Sequence, residues 1–187
     1  MSILKYFISS IKNIIIIFLN KIKMKNKINI TNKYKMIKNI QMLPIKQMLP
    51  IKQNNNYLLK FDGCSKGNPG LSGAGAVIYK NGVEIWSKSI FVGKNNTNNE
   101  AEYNGLIIGL EEAVNMGIEV LDVEGDSLLI IKQMRGEYKV KSEKLLNLYT
   151  QAKLYEKMIK EISFNHVYRE KNIRADELSN LGLSFLQ

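Results

Sequence analysis

The sequence predicts an α/β fold, a mixed five-stranded sheet with helices packed on it, forming a single domain behind a basic N-terminal arm. Three observations predict it. An apolar run, Tyr57-Leu58-Leu59-Lys60-Phe61, leads directly into Asp62-Gly63-Cys64-Ser65-Lys66-Gly67-Asn68-Pro69-Gly70. An acid at a strand end, followed by a glycine-rich turn, puts a carboxylate where backbone can closely approach a ligand. Strand and helix patterns then succeed one another in the order βββαβααβα, which reads as a mixed sheet with helices packed on it. Finally, Asp62 is the first acidic residue of the chain, so charge divides the sequence in two.

The net charge of +10 belongs to the arm: residues 1–61 hold 12 of the 27 Lys+Arg and none of the 17 Asp+Glu. The remainder of the chain is slightly acidic, and at about 130 residues it is long enough for one full core and too short for two. Cys64 is the only cysteine, which excludes an intrachain disulfide and makes a reducing compartment the default. Residues 1–56 form a Lys-, Asn- and Ile-rich arm without arginine. Its stretch Asn13 to Leu19, apolar from Ile14 onward, falls far short of the roughly 20 residues that span a bilayer. An acid-free, lysine-bearing N-terminus also fits an amphipathic mitochondrial targeting helix, although the missing arginine speaks against one. The third reading is a disordered polycationic tail. Gln-Met-Leu-Pro-Ile-Lys occurs twice in residues 41–52; two such short copies make a linker and not a solenoid.

The domain, 57–187, is justified element by element. Strand one is the run before Asp62, and strand two is Gly75 to Tyr79. Asn81-Gly82 is a two-residue hairpin turn, after which Val83 to Val92 alternates in character, as a strand with one wetter face does. Thr97 or Asn98 caps a helix with Glu100 and Glu102 in its first turns, where the helix dipole favours anions. Ala101, Leu106, Ile107, Leu110, Ala113 and Val114 recur at helical spacing, and the helix ends near Gly117. Val120 to Asp126 is strand four, reached through a helix and therefore paired in parallel with an earlier strand. Ser127 to Met134 is a short helix, Gly136 to Lys141 a loop, and Ser142 to about Lys160 a long helix facing inward at Leu145, Leu148, Ala152, Tyr155 and Ile159. Ile162 to Tyr168 is strand five, and Ile173 to Phe185 a closing helix.

Four acids stand out by position: Asp62 and Asp126 at strand ends, Glu102 and Asp176 in the first turns of helices. If strands one and four are adjacent and parallel, all four can face one sheet end. Converging carboxylates repel one another and lose hydration, so a cluster needs a compensating cation. All-oxygen ligation suits Mg²⁺ or Mn²⁺, and two such ions can activate water and stabilise a leaving oxygen in phosphodiester hydrolysis. Any one of these acids taken alone reads as an ordinary solvated surface residue.

Four motifs change that balance. Asp62-Gly63-(x)4-Asn68-Pro69-Gly70, Thr97-Asn98-Asn99-Glu100-Ala101-Glu102-Tyr103, Gly125-Asp126-Ser127 and Asn172-Ile173-Arg174-Ala175-Asp176-Glu177-Leu178-Ser179-Asn180 together closely resemble type 1 ribonuclease H. The Ala101-Glu102-Tyr103 form and Gly136 to Lys141 look like its plant and archaeal branch. The resemblance covers residues 57–187 and none of the arm. It implies a ribonuclease H-like fold and a metal-dependent endonuclease that cuts the RNA strand of RNA–DNA hybrids, leaving 5′-phosphate and 3′-hydroxyl ends. It implies Asp62, Glu102, Asp126 and Asp176 as the catalytic set holding two Mg²⁺ ions, or Mn²⁺. Asn68, Asn98 and Asn99 match positions that contact the hybrid in its minor groove, where amides read the 2′-OH. Thr97 matches a position that binds a DNA phosphate. Cys64, Ser65 and Ser127 match the substrate-facing surface more loosely.

The chain also departs from the family. The short loop Gly136 to Lys141 replaces a basic helical protrusion found in bacterial members. The only histidine, His166, falls three residues before the family's catalytic histidine and inside strand five, where a structural role is favoured. Arg169 lies nearer the loop and resembles the plant-type pattern, so product release is its implied task. Trp86 reads as core, while Lys139, Lys141 and Lys144 read equally as a solvated face or a phosphate track. Two alternatives to the hydrolase remain: a different nuclease of the same fold, and a hybrid-binding module without catalysis. The expected partner is an RNA–DNA hybrid, with no stable membrane partner. The chain is expected to be a monomer inside the cell, in cytoplasm or nucleus, with mitochondrial targeting by the arm as the alternative.

Overall fold

The β1 strand, Tyr57–Gly67, lies at the centre of the sheet in the computed structural model, which describes residues 56–186. The arm, its repeat and its apolar run lie outside the described residues. The remaining elements are β2 (Gly70–Lys80), β3 (Val83–Asn96), α1 (Asn98–Asn115), β4 (Val120–Gly125), α2 (Leu128–Met134), α3 (Glu143–Glu156), β5 (Glu161–His166), a 3-10 turn at Arg169–Lys171, α4 (Ile173–Gly182) and a last 3-10 turn at Leu183–Leu186. The strand order is β3-β2-β1-β4-β5. The first three strands pair antiparallel, while β4 runs parallel to β1 and β5 parallel to β4. This is the mixed five-stranded sheet that the sequence predicts.

Several boundaries differ from expectation. The glycine-rich stretch after Asp62 is strand and not loop: β1 stays paired with β2 as far as Gly67↔Gly70, so Cys64 and Ser65 lie on β1 and only Asn68 and Pro69, joined by a cis peptide bond, make the turn. Glycine composition marks a turn when read along the chain, but here Gly63, Gly73 and Gly75 lie where helices press on the sheet. The third helix stops at Glu156 instead of Lys160, because the chain turns back so that Glu161 N–H can bond Glu119 O at 2.9 Å and open β5. Strand five ends at His166, two residues early, and the closing helix gives way to a 3-10 turn after Gly182. The Asn81-Gly82 turn is as expected, with φ of 52° and 80°, the left-handed pair that a tight hairpin requires.

Alternation along the strands sorts the core onto two faces. Leu59, Phe61, Ala76 and Ile78 join Tyr103, Leu106 and Leu110 of α1, together with α2 and α3, in the larger core. Val77 packs instead with Ala175 and Leu178 of α4 on the other face. Trp86 is partly buried against the larger core, as expected of it. Inside that core Tyr103 Oη donates to Gln133 Oε1 at 2.7 Å, which satisfies two buried polar groups at once.

Both helix contacts are backbone-close. A Cβ at Gly63 would stand 2.1 Å from Glu102 N and 2.2 Å from Ala101 C, and one at Gly75 would stand 2.4 Å from Leu178 Cβ and 2.5 Å from Ser179 N. Replacing Gly63 by alanine should therefore push α1 off the sheet and destabilise the domain by about 1–3 kcal/mol, the range for overpacking a tight interior. Urea denaturation of the two proteins measures this; equal midpoints would show that α1 can retreat without loss.

Candidate active site

The β1–β4 ladder ends at Phe61↔Gly125, so Asp62 and Asp126 are the next residues of two adjacent parallel strands. Beyond Phe61 only the β2 side of β1 is paired, which leaves Asp62 facing an open edge even though it is not at the end of its strand. The contact of Gly63 with α1 brings Glu102 to that edge from one face, and the contact of Gly75 with α4 brings Asp176 from the other. Electrostatics registers the convergence. Asp62 is 6% exposed, and burial, with the nearby charges of Asp126 and Asp176, pushes its carboxyl up to about 6 against the pull of the Ser179 hydroxyl. Burial, then Asp62 and Asp126, pushes Glu102 up to about 7, with Ser127 pulling the other way.

Each carboxylate has its own holder. Ser179 Oγ donates to Asp62 Oδ2 at 2.6 Å, Asn98 Nδ2 to Glu102 Oε1 at 2.9 Å, and Asn172 Nδ2 to Asp126 Oδ1 at 2.9 Å. Asp176 forms an ion pair with Arg169 and accepts from Asn180 Nδ2 at 3.3 Å. Held this way, no three acidic, histidine or cysteine side chains among the described residues form a ready-made metal cage. Glu102 is half-buried as a residue, yet its Oε2 is enclosed with no hydrogen-bond partner. An all-oxygen donor set, two carboxyls made hard to ionise by burial, and an orphan carboxylate oxygen together fit a hard divalent cation.

Glu100, two residues before Glu102, has a different task. Its Oε2 accepts from Thr97 N–H at 2.7 Å and from the Thr97 hydroxyl at 2.8 Å, while its own N–H bonds Thr97 Oγ1, completing a capping box. Burial alone would raise Glu100, but these bonds and the charge of Lys144 hold it below the usual carboxylate range.

A family model described as "Reverse transcriptase-like" matches residues 60–182. The chain is 34% identical to RNase H1 of Halobacterium salinarum, whose crystal structure it matches with a TM-score of 0.66 over 69% of this chain and 98% of that one. The chain belongs to the type 1 ribonuclease H family. LC11-RNase H1, a compost protein solved in complex with an RNA/DNA hybrid, is 35% identical, with a TM-score of 0.66 over 70% of this chain and 99% of that one. The bifunctional protein Rv2228c of Mycobacterium tuberculosis is 40% identical over 125 residues, which is 66% of this chain but only 34% of that protein. The chain thus spans about a third of the length of its mycobacterial relatives.

The other residues that match the ribonuclease H pattern are spread around the carboxylates. Asn68 is exposed at the β1–β2 turn, and its Oδ1 accepts the Asn98 N–H at 3.2 Å, which ties that turn to the start of α1. Asn98 is thereby joined to Asn68 and to Glu102, while Asn99 is half-buried beside it. The Thr97 hydroxyl is engaged on both sides by the capping box. Cys64 is half-buried two residues along β1 from Asp62, and Ser127 precedes α2 directly after Asp126. Arg169 stands 74% exposed at the rim, held by Asp176.

His166 contacts the site only through the backbone, with Nε2 3.2 Å from Asp126 O and its ring edge-to-face against Tyr168. Lys139, Lys141 and Lys144 are all exposed. A cleft of about 620 Å³ lies away from the carboxylates, between Leu58, Tyr79, Asp122 and Arg174. None of the four carboxylates lines it.

Two residues of the site lie inside the fourth motif without a role that the sequence assigns them. Asn172 is fully buried and bridges Phe61 O at 2.9 Å and Asp126, and Ser179 is fully buried against Asp62. Ser179 does have a readable sign: a hydroxyl on the inward stripe of α4, among Ala175, Leu178 and Gly182.

Because Asp62 and Glu102 are harder to ionise folded than unfolded, the metal-free domain keeps protons that the unfolded chain has released. That stabilisation is full below the ordinary carboxylate range and is lost as pH rises through about 6 and about 7. Chelator-treated protein should therefore melt lower at pH 8 than at pH 5, by the equivalent of about 1–3 kcal/mol, and Mg²⁺ added at pH 8 should restore it. A melting temperature independent of pH and of Mg²⁺ would contradict this account of the site.

Proposed function

We propose that this protein is a divalent-metal-dependent ribonuclease H, an endonuclease that hydrolyses the RNA strand of RNA–DNA hybrids. The single observation that supports it most is the convergence of four carboxylates where the β1–β4 ladder ends, two of them raised by burial and one with an orphan oxygen, near Asn68, Asn98 and Asn99. Asp62, Glu102, Asp126 and Asp176 would hold Mg²⁺ or Mn²⁺, two ions in the fully loaded site. Bound there, the ions supply an activated water and charge to stabilise the leaving oxygen.

The residues of the chain do the rest. Asn68, Asn98 and Asn99 offer both donors and acceptors at the rim, which suits minor-groove reading of the 2′-OH that separates RNA from DNA. Asn98 also holds Glu102, so substrate contact and carboxylate orientation meet in one side chain. Thr97 and Ser127 add hydroxyls, and Cys64 adds a neighbouring surface. Arg169, paired with Asp176, would exchange that partner for a phosphate during product release. Attack by water with departure of the 3′-oxygen leaves a 5′-phosphate and a 3′-hydroxyl. The chain would act as a monomer inside the cell, a reducing setting that its single cysteine fits.

The test is to incubate the purified chain with labelled hybrid, duplex RNA and duplex DNA in Mg²⁺. Only the RNA strand of the hybrid should be cut, and chelator should stop cleavage. Asp62→Asn should reduce cleavage to background with the fold retained. Cleavage of duplex DNA would favour another nuclease of this fold, and binding without cleavage would favour an inactive hybrid-binding module.

The asparagines and the two glutamates give a finer measurement. Asn98→Ala and Asn99→Ala should each cost about 1–2 kcal/mol in kcat/KM on hybrid, with the difference shrinking on substrate carrying 2′-deoxy sugars beside the cut. Glu102→Gln should be severe and Glu100→Gln mild in activity, losing only cap stability. Equal severity in the two glutamate variants would place the active carboxylate wrongly on α1.

A further inference from the structure

Ser179 is fully buried, and it sits on the inward stripe of α4 with Ala175, Leu178 and Gly182. A hydroxyl in such a place is unfavourable unless it has a strong partner. Two acceptors lie within reach: Asp62 Oδ2 at 2.6 Å and the Asp176 carbonyl oxygen, one helical turn back, at 2.9 Å. A serine has a single proton to donate, and the shorter contact to a carboxylate is the stronger bond. The hydroxyl is also held in place. A Cβ on Gly73 would meet Ser179 O at 2.3 Å and one on Gly75 would meet Ser179 N at 2.5 Å, so the Ser179 backbone is seated directly on β2.

We propose that Ser179 is a positioning residue for the carboxylate cluster. Its hydroxyl fixes the orientation of Asp62 by taking Oδ2, which leaves Oδ1 as the oxygen that Ser179 does not engage and that Asp62 presents to a divalent cation. The same hydroxyl couples Asp62 on β1 to the turn of α4 that carries Asp176, so the spacing of two metal-binding carboxylates, one from the sheet and one from a helix, depends on it. Groups that orient metal ligands in this way matter to metal affinity almost as much as the ligands themselves. The proposal rests on the metal-dependent reading of the carboxylate rim.

The full chain should be compared with Ser179→Ala and Ser179→Cys. Mn²⁺ binding is read by calorimetry without substrate, Mg²⁺ dependence and KM by cleavage of labelled hybrid, and folding by thermal melting in chelator. Alanine removes only the hydroxyl and suits a helix, so the fold should persist. Ser179→Ala should bind Mn²⁺ about 10–100-fold more weakly and need correspondingly more Mg²⁺, with KM for hybrid at saturating Mg²⁺ unchanged. Ser179→Cys, whose thiol is a weak donor, should fall between the two. A Ser179→Ala protein with wild-type metal affinity and Mg²⁺ dependence, whether or not it melts lower, would reduce Ser179 to a packing residue and overturn the proposal. Failure of the wild-type chain itself to bind Mn²⁺ and cut hybrid would instead sink the functional reading, and this proposal with it.

Discussion

The domain depends on backbone-close contact between the central strand pair and two helices on opposite faces. At Gly63 there is no room for even one carbon between β1 and α1, and at Gly73 and Gly75 there is none between β2 and α4. These contacts do more than close the core. Because Gly63 is covalently next to Asp62, the place where α1 touches the sheet is also the place where Glu102 must stand. Gly75 is the ladder partner of Asp62, so α4 meets the sheet beside the same carboxylate. Packing and site assembly are therefore one constraint.

The cost of this arrangement lies in the site. Four carboxylates brought to one rim repel one another, and burial makes ionisation of Asp62 and Glu102 harder still. Neutral or cationic side chains hold them: Ser179, Asn98, Asn172 and, at the exposed side, Arg169. The Ser179 hydroxyl and the Asn172 amide nitrogen are hydrogen-bonded, as buried polar groups generally are, whereas Asn172 Oδ1 and Glu102 Oε2 are enclosed without a partner, and the carboxylate oxygen of the two marks where a cation would relieve the repulsion. The tension is local. The larger core, built on Leu59, Phe61, Tyr103 and Leu106, lies on the α1 face and carries no such conflict.

The neighbouring acids Glu100 and Glu102 show how context divides two like residues. At the third position of α1, Glu100 reaches back to Thr97 and closes the capping box. Two residues on, Glu102 points to the rim and is desolvated there. Lys60 performs a comparable structural service on the α4 side, bridging Glu124 at 2.9 Å and the Lys171 carbonyl at 2.6 Å, and so anchors the turn that leads into α4.

Much of this is legible in the sequence because it is written in local patterns. Apolar runs, alternation and helical spacing mark the strands and the longer helices of the domain, Asn81-Gly82 marks its hairpin, and four acids, in family motifs, mark the candidate site. The glycine stretch from Gly63 to Gly75 misleads because composition cannot distinguish a glycine that turns from one that admits a helix, and only the packing of α1 and α4 decides between them. The ends of α3 and α4 escape for a related reason, since apolar periodicity continues after the chain has left the helix, as buried Ile159 shows. Local pattern alone thus settles which elements form and which positions are acidic. Which partner each carboxylate meets is settled only by packing, as with Ser179 for Asp62, 117 residues away, because such a contact exists only once a strand and a helix distant in the chain are pressed together.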